Sequence, residues 1–521
     1  MIIMKKMAAR SSRKLPGPAG RMEQAGRQPA GELLDMEQAI GLLKTTRPTF
    51  YRWLRAGKLK GSKAGRQWRF QKGDVERFLR GEGPQVDLPV GIKPLIASLR
   101  DRLREKGSPA EGAEADLVVA VKLMIRLAAK MSATDLHLEP QPADISLLRY
   151  RVDGVMHHMV DIDTRLLPAI IAQWKMMAGC NARESLRPQE GRVVLDGGEG
   201  GSRLEARVMF LPTMSGEALS ATLLDSSAAR LNLRQLGFSP AVMKRIERWI
   251  PAPWGTVIFT GPAGCGKTSS LYACLAQIAA GPARPKIMTV EADQEYPVAG
   301  VTQVLVHGTA GMTFGSGLRA VLRSSPDVVM AGEIPDLETL VLSLQGALTG
   351  HLMFISLHTN EAASALLRMV DVGANPLTVT ESIKLIVAQR LVRALCSKCA
   401  LAAKPAEPQL NLARKLAAIG GFAWDSPPEK FRGPVGCKEC NQTGYRGRIV
   451  IAEALEVSSR IASAVTRGGT ISDLRAIAVS EGMITLAADG MRCAAEGRTS
   501  LAEILKTVGN IYGVDTMGGA K

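Results

Sequence analysis

The sequence predicts an α/β protein of several domains, and three observations lead to this prediction. A glycine-rich loop lies between an apolar β-branched run and a run with helical periodicity. The chain of 521 residues is too long for one hydrophobic core and suggests three or four domains. Two short cysteine pairs lie beyond the loop, as in small metal-binding subdomains. We therefore expect a parallel-sheet domain with smaller domains before and after it in the chain.

The N-terminal region carries most of the positive charge. The whole chain has a net charge of +17, and residues 1–100 contain 21 Lys and Arg against 8 Asp and Glu. Residues 1–30 are rich in Arg, Gly, Pro and Ser, which predicts a disordered basic tail. Because the basic residues are concentrated at this end, we expect the N-terminal region to bind the partner that the positive charge attracts.

Residues 31–81 have the pattern of a small helix-turn-helix module. Apolar residues at helical spacing follow Asp35, a candidate N-cap, and a second helix is expected from Pro48. Two short strands around Gly65 come next, and Asp74 is a candidate N-cap of a last helix. The order of these elements, with a Tyr-Arg pair in the second helix and a Gly-Arg-x-Trp-Arg strand, resembles the excisionase-type winged helix-turn-helix modules.

This resemblance implies DNA binding through the second helix and the wing. The candidate DNA contacts are Thr49, Tyr51, Arg52 and Arg55 on the helix and Lys63, Arg66 and Arg69 on the wing. The positive charge of the region favours DNA, and the alternative is a module recruited for protein contacts. Residues 82–112 follow as a linker interrupted by a short basic helix.

The glycine-rich loop has the sequence of a phosphate-binding loop. Thr256–Thr260 is typical of a buried parallel strand, and the residues from Ser269 onward have helical periodicity. The loop therefore ends at a helix N-terminus, where backbone N–H groups and the helix dipole favour phosphate. Its residues are Gly261, Pro262, Ala263, Gly264, Cys265, Gly266, Lys267, Thr268 and Ser269. We expect Lys267 to reach the β- and γ-phosphates of ATP and the Thr268 hydroxyl to ligate Mg²⁺.

Two further apolar runs lead to acidic residues, as a hydrolytic nucleotide site requires. The run at residues 285–290 is followed by Glu291, and Asp327–Met330 leads to Glu333. The carboxyl ends of parallel strands meet at one edge of the sheet, beside the phosphates. We therefore assign Glu333 to Mg²⁺ and the attacking water, with Glu291 near the same water.

Two histidines bracket a third expected strand, Leu352–Ile355. His351 and His358 stand at its two ends and are candidates to sense the γ-phosphate. The alternative for each is a structural histidine with hydrogen-bond partners. The surrounding stretch 337–357 is the most apolar of the chain, but it contains charged and polar residues such as Glu338. We therefore expect a helix and a strand here rather than a membrane span.

Four of the eight cysteines form two Cys-x-x-Cys pairs. Cys396, Cys399, Cys437 and Cys440 can supply four thiolates to a tetrahedral, structural Zn²⁺. A redox dithiol is the alternative, but it requires a thioredoxin-like context that the sequence lacks. The first residues contain no adequate apolar core for a signal peptide, so we expect a cytoplasmic protein. Cys265 lies within the phosphate loop, which predicts sensitivity to thiol reagents.

Motifs spread over residues 113–510 resemble those of the type II secretion and type IV pilus assembly ATPases. Besides the nucleotide motifs, they are Asp135–Pro140, Arg149–Gly154, Arg187–Arg192, Leu211–Thr213, Gly216–Glu217, Gln389–Arg393 and Gly482–Leu486. The resemblance implies a cytoplasmic homo-hexamer, peripheral to the inner membrane, that hydrolyses ATP with Mg²⁺. It also implies a polytopic inner-membrane platform protein as its partner.

The same resemblance implies the domain order. A PAS-like smaller α/β domain is expected at residues 113–235 and a RecA-like P-loop domain at 236–395. A tetracysteine zinc subdomain at 396–450 and a C-terminal helical subdomain at 451–521 complete the chain.

In this family ATP lies between the first two of these domains, and arginines of the smaller domain reach the γ-phosphate. By match, Arg207 is the first candidate for this role. Further candidates, for which a structural ion pair is the alternative, are Arg149, Arg151 and Arg192.

Three charged residues of the family pattern are replaced in this chain. Thr222 stands where the family has an arginine near the γ-phosphate, Ala292 replaces an aspartate, and Pro335 replaces another arginine. The phosphate loop and Glu333 are intact. We therefore expect nucleotide binding with slow hydrolysis.

The sequence as a whole predicts a hexameric ATPase that drives type II secretion or type IV pilus assembly and carries an added DNA-binding-type module. In the family that the chain resembles, assembly and secretion members carry the tetracysteine subdomain and most retraction members lack it, so the resemblance implies filament extension rather than retraction. The alternative is a DNA-binding regulator or DNA-uptake protein that uses a nucleotide-controlled ATPase fold with weak hydrolysis; the basic N-terminal region favours it.

Overall fold

The computed structural model describes residues 33–55, 59, 61–64, 67–79, 90–103, 116–142, 144–196, 203–224, 232–307, 311–421, 431–509 and 511–512. The predicted tail at residues 1–30 lies outside these ranges, as does the candidate DNA contact Arg66. The chain divides into two compact units. One comprises Met1–Pro89 with Gly107–Val119, and the other Val90–Lys106 with Ala120–Lys521.

The first unit is a small helix-turn-helix module with a three-stranded antiparallel sheet. Its elements are β1 (Leu33–Leu34), α1 (Met36–Leu42), α2 (Arg47–Arg55), β2 (Ser62–Ala64), β3 (Gln67–Gln71) and α3 (Lys72–Leu79), with strand order β1-β3-β2. Asp35 caps α1 by accepting a 2.9 Å hydrogen bond from the Gln38 N–H. Phe50 and Phe70 are fully buried and meet edge to face at 5.1 Å, so this unit has its own core.

The expected cap at Asp74 is wrong. Helix α3 begins at Lys72, directly after β3 ends at Gln71, so Asp74 lies in the first turn instead of at the cap. The prediction failed because the helix follows the strand without a connecting loop. In a sequence, an acidic residue in the first turn of a helix cannot be distinguished from one at the N-cap.

The second unit begins with a six-stranded antiparallel sheet flanked by helices. Its elements are α4 (Lys93–Leu103), α5 (Asp116–Lys130, of which Ala120 onward belongs to this unit), β4 (Ala133–Pro140), β5 (Ile145–Val152), β6 (Val155–Asp163), α6 (Leu167–Met177), β7 (Gln189–Leu195), β8 (Leu204–Thr213) and β9 (Gly216–Leu224). The strand order is β6-β5-β4-β9-β8-β7. Within the expected linker, α4 is a packed helix, because Leu95, Leu99 and Leu103 are buried.

A seven-stranded sheet forms the centre of the second unit. Its strands and flanking helices are α7 (Pro240–Trp249), β10 (Gly255–Thr260), α8 (Lys267–Ala279), β11 (Ile287–Glu291), β12 (Val301–Leu305), α9 (Phe314–Leu322), β13 (Val328–Ala331), α10 (Leu337–Leu348), β14 (Leu352–Leu357), α11 (Ala362–Asp371), α12 (Pro376–Ser382) and β15 (Ile383–Leu395). The strand order is β12-β11-β13-β14-β10-β15-β18, where β18 (Tyr445–Glu456) is the antiparallel edge strand. The expected helix and strand within 337–357 are confirmed.

The remaining elements follow β15. They are β16 (Leu401–Ala403), α13 (Glu407–Ile419), β17 (Phe431–Gly433), β18 (Tyr445–Glu456), α14 (Ser459–Thr466), α15 (Ile471–Ser480), α16 (Leu486–Ala495) and α17 (Leu501–Val508). Strand β18 crosses the expected boundary at residue 450 and pairs with β15, so the cysteine region leads directly back into the central sheet. None of the helices in the described ranges is both long and apolar enough to span a bilayer.

Candidate nucleotide and zinc sites

The phosphate-type loop joins β10 to α8 at the carboxyl edge of the central sheet. Gly264 and Gly266 have φ values of 72° and 91°, a conformation that favours glycine, and α8 begins at Lys267 directly after the second of them. The Lys267 ammonium is buried and donates to the carbonyl oxygens of Gly261 at 2.9 Å and Pro262 at 3.1 Å. Burial lowers its pKa, and the nearby Glu333 opposes that shift. A bound phosphate would compete with these carbonyls for the ammonium.

Cys265 is buried inside the same loop. Its side chain is 3% exposed, and burial raises the pKa of its thiol. Since the thiolate is the reactive form, Cys265 is a poor target for thiol reagents, contrary to the expectation from its position in the sequence.

Glu295 is the acid that meets the phosphate loop after β11. Its carboxylate is hydrogen-bonded to the side chain of Thr268, the expected Mg²⁺ ligand. Burial raises the pKa of Glu295, the Thr268 contact lowers it, and the charge of Glu291 raises it further. Sequence reasoning did not select Glu295. The signal was present in the Glu-x-x-x-Glu spacing, which places a second acid four residues beyond the end of the strand.

Glu291 itself is occupied by structural hydrogen bonds. It is 3% exposed, and its carboxylate accepts from the hydroxyls of Tyr272 and Thr289 and, at 3.2 Å, from Nε2 of Gln303. These contacts anchor the segment that begins at the end of β11. The structure therefore does not support a position for Glu291 beside the attacking water.

Glu333 lies at the carboxyl edge, just beyond β13. The strand is continued by Gly332, whose N–H donates to the Val290 oxygen at 2.9 Å and whose oxygen accepts from the Ser356 hydroxyl. The Glu333 side chain is exposed and attracts the Lys267 ammonium electrostatically. These contacts bring Glu333 to the phosphate loop, as the sequence predicts.

The two histidines lie at opposite edges of the sheet. His358 follows β14, and its Nδ1 is 3.4 Å from the Lys267 Nζ. His351 precedes β14 and its Nδ1 lies 2.8 Å from the Gly346 oxygen at the end of α10. Because β14 runs parallel to β10, its six residues separate His351 from the phosphate loop by about 20 Å. The expectation that His351 senses the γ-phosphate of its own chain is wrong, and its structural alternative fits.

Two arginines of the six-stranded sheet reach the segment after β11. Arg207 forms ion pairs with Glu190 and with Asp293. Arg192 pairs with Glu205 of its own sheet at 2.5 Å, the structural alternative for this residue, and one of its guanidinium nitrogens lies 3.5 Å from the Gln294 backbone oxygen. Hydrogen bonds to both acids raise the pKa of Arg207 against the opposing effect of burial. This placement brings both arginines to the same segment as Glu295.

The other two candidate arginines are held within their own sheet. Arg149 pairs with Glu139, and Arg151 pairs with Asp135 at 3.5 Å. The Thr222 hydroxyl, at the position where the resemblance leads one to expect a cation, donates to Asp135 at 3.1 Å. For Arg149 and Arg151 the structure therefore agrees with the alternative interpretation, in which each arginine forms a structural ion pair.

The four paired cysteines form a cluster of the size that a zinc ion needs. Their Sγ atoms all lie within 4.8 Å of one another, and three of the separations are 3.9, 3.7 and 3.7 Å. Four thiolates at about 2.3 Å from a tetrahedral Zn²⁺ would be about 3.8 Å apart. Burial opposes ionisation of Cys440, but the N–H groups of Cys437 and Gly444 donate to its Sγ at 3.2 Å each and lower its pKa to about 6. This donor set fits Zn²⁺.

In the helix-turn-helix unit, the candidate DNA contacts lie on α2 and on the β2–β3 wing. Tyr51 and Arg52 are exposed on α2. Thr49 is half-buried and accepts from the Thr46 hydroxyl at 3.2 Å, and Arg69 donates to the Gln67 side chain at 2.7 Å. Two further candidates are Arg55, which lies on α2, and Lys63, which lies on β2.

Known proteins resemble this chain over most of its length. A family model described as "Type II/IV secretion system protein" matches residues 111–506. The type II secretion system protein HxcR of Pseudomonas aeruginosa is 39% identical over 392 residues, which are 75% of this chain and 77% of that protein. The type IV pilus assembly ATPase PilB of Myxococcus xanthus is 35% identical over 438 residues, 83% of this chain and 75% of that protein. The chain belongs to the type II/IV secretion system protein family.

Membership of this family confirms the resemblance to secretion and pilus assembly ATPases. A second family model, described as "Helix-turn-helix domain", matches residues 33–83 and confirms the N-terminal module. The ATPase DotB of Legionella pneumophila has the same fold, with a TM-score of 0.55 at 17% identity over 78% of this chain and 98% of that one. The predicted fold class is thereby confirmed.

Proposed function

We propose that this family member is the ATP-hydrolysing motor of a type II secretion or type IV pilus assembly system. The observation that carries the proposal is the convergence of Lys267, Thr268, Glu295 and Glu333 at one edge of the sheet. It works as a cytoplasmic homo-hexamer at an inner-membrane platform protein, as its membership of the family favours.

Each residue of this group has a separate task. The loop amides and Lys267 bind the phosphates, and the Thr268 hydroxyl would hold Mg²⁺, which would supply charge neutralisation to the transferred phosphoryl group. Glu295 and Glu333 orient the attacking water, and Glu295 accepts its proton. Arg207 moves from Asp293 to the γ-phosphate when ATP binds, because the phosphate carries more charge than the carboxylate it leaves.

The three replaced charges predict slow turnover. Thr222 donates a hydrogen bond to Asp135, so it offers no cation to the phosphates. Pro335 lies just before Asp336, which caps α10 by accepting from the Thr339 N–H at 2.7 Å. With fewer arginines near the γ-phosphate, transition-state charge is stabilised less, and each missing arginine can cost orders of magnitude in rate.

Replacing Glu295 and Glu291, one at a time, with glutamine tests the site. Glu295→Gln should reduce kcat by roughly a hundredfold or more, because the proton acceptor is lost. Glu291→Gln is the matched control and should retain most of the turnover, provided that its thermal unfolding is normal. Equal losses in both variants would contradict the assignment.

A second candidate function is favoured by the helix-turn-helix module. Tyr51 and Arg52 are exposed on the helix that would enter the major groove, and residues 1–100 are strongly basic. In that case the chain is a DNA-binding regulator or DNA-uptake protein with a nucleotide-controlled ATPase fold. This second function predicts that ATP turnover depends on duplex DNA. Adding random duplex DNA to the ATPase assay at low salt measures that dependence.

A further inference from the structure

Arg390 is a buried arginine on β15 that contacts a loop of the nucleotide site. It is 7% exposed, and its Nη1 donates to the Gln389 oxygen at 3.0 Å. Its Nη2 donates to the backbone oxygen and to Oδ1 of Asn360, at 3.0 and 3.1 Å. Glu453 attracts it electrostatically, but within the described part of the chain its hydrogen bonds all go to neutral oxygens. A buried cation held in this way is costly, which indicates that its position matters.

On one side, the pair Gln389–Arg390 packs against the phosphate loop. A Cβ added at Gly261 would lie 2.6 Å from the Gln389 oxygen and 3.1 Å from the Arg390 Nη1. The Gln389 amide donates to the Cys265 oxygen at 2.8 Å and accepts from the Ser270 hydroxyl at 3.0 Å. The loop and the first turn of α8 are therefore fixed to this point of β15.

On the other side, Arg390 holds the segment that follows β14. Asn360 is two residues beyond His358, whose ring nitrogen is 3.4 Å from the Lys267 ammonium. The two hydrogen bonds from Arg390 to Asn360 fix both its backbone and its side chain. Arg390 thus connects the first glycine of the phosphate loop with the segment that carries His358.

The far end of this segment is anchored separately. Glu361 forms a two-point ion pair with Arg475, with both distances 3.0 Å. Glu453 accepts from the N–H groups of Ala362 at 2.7 Å and Leu486 at 2.9 Å. These buried contacts tie the segment to the C-terminal helices. Its end near the phosphate loop is held by Arg390 at Asn360 and by Thr260, whose hydroxyl accepts from the Thr359 N–H at 2.9 Å and lies 2.8 Å from the Thr359 hydroxyl.

We infer that Arg390 is a positioning residue that holds His358 and Asn360 against the γ-phosphate of ATP. The inference rests on the proposed function, because it assumes that Lys267 binds the β- and γ-phosphates. ADP lacks the phosphate concerned, so Arg390 should affect the binding and turnover of ATP and leave ADP binding unchanged. A residue needed only for folding would affect both nucleotides alike.

The test compares Arg390→Lys with Arg393→Lys in the full chain. Arg393 is on the same strand and pairs with Glu503, so it controls for the loss of a guanidinium. We expect Arg390→Lys to weaken binding of a fluorescent, non-hydrolysable ATP analogue roughly tenfold and to lower kcat by a similar factor. Affinity for fluorescent ADP should stay within about twofold, and Arg393→Lys should bind both nucleotides as the wild type does.

Asn360→Ala keeps the test decisive if Arg390→Lys folds poorly. It should lose the same preference for the ATP analogue, and the double variant should lose no more than either single one, because the two residues act through one contact. Parallel losses of ADP and ATP-analogue binding, or no loss in either variant, would overturn the inference. The binding measurements do not need hydrolysis. A wild type that binds neither probe would refute the proposed function, and the inference with it, before any variant is compared.

Discussion

Replacing Cys437 and Cys440 together with serine is expected to remove the bound metal and unfold the loops that carry the two cysteine pairs. Structural zinc contributes about 10–16 kcal/mol of apparent binding free energy in small zinc domains, so the four thiolates would dominate local stability. The segment between the pairs has further anchors, because Ala413, Leu416 and Phe431 pack into the main hydrophobic core, so the loss of order should begin at the two cysteine loops. Unfolding here should reach the central sheet, because β18 starts just after Cys440 and pairs with β15.

Metal analysis of the purified chain measures this effect. The wild type should contain about one Zn²⁺ per chain, as expected for a closed four-cysteine site. The double variant should contain none and should be cut rapidly by protease between residues 396 and 440. Cys493→Ser is the matched control, because Cys493 is buried away from the cluster and should keep both metal and protease resistance. Zinc-free wild-type protein that resists protease would contradict the assignment.

Lys267→Ala is expected to abolish tight nucleotide binding. The ammonium is buried beside the loop, where it can place a positive charge between two phosphates. Removing one partner of a buried charge pair costs about 3 kcal/mol, which is roughly a hundredfold in Kd. Fluorescent ATP titration measures the change.

The control for this variant is Lys415→Ala, which removes the same charge from the exposed surface of α13. It should bind ATP with the affinity of the wild type. Undiminished ATP binding in Lys267→Ala would show that the phosphates bind elsewhere.

The sequence was sufficient for the parts of the site that depend on strand ends. Glycine spacing, a β-branched run and helical periodicity located the phosphate loop, and the acid after β13 identified Glu333, because both follow directly from where parallel strands end. The zinc cluster was equally accessible, since each cysteine pair supplies its two ligands from one short loop and needs only one long-range contact.

What the sequence did not reveal depends on which atoms side chains meet after folding. Glu291 and Glu295 are both acids near the end of β11, and only the buried hydroxyls around Glu291 show that Glu295 is the one free to meet Thr268. His351 and His358 look equivalent in a linear sequence. They differ because a strand of six residues carries them to opposite edges of the sheet.

The role of Arg390 was also beyond sequence reasoning. Residues Gln389–Arg393 form one of the motifs that carry the family resemblance, but the motif alone does not explain what Arg390 does. The reason emerges from the fold, because β15 lies beside β10 and brings Arg390 to both Gly261 and Asn360. These contacts join residues 30 and 129 positions apart, and such distant contacts cannot be derived from local periodicity.

The most direct test of the central claim is ATP turnover by the purified full-length protein, compared with Glu333→Gln and measured with and without duplex DNA. We predict slow but measurable hydrolysis by the wild type, loss of that activity in Glu333→Gln with ATP binding retained, and no dependence on DNA. Wild-type turnover no higher than that of Glu333→Gln would contradict the motor. Turnover that appears only with duplex DNA would favour the DNA-dependent alternative instead.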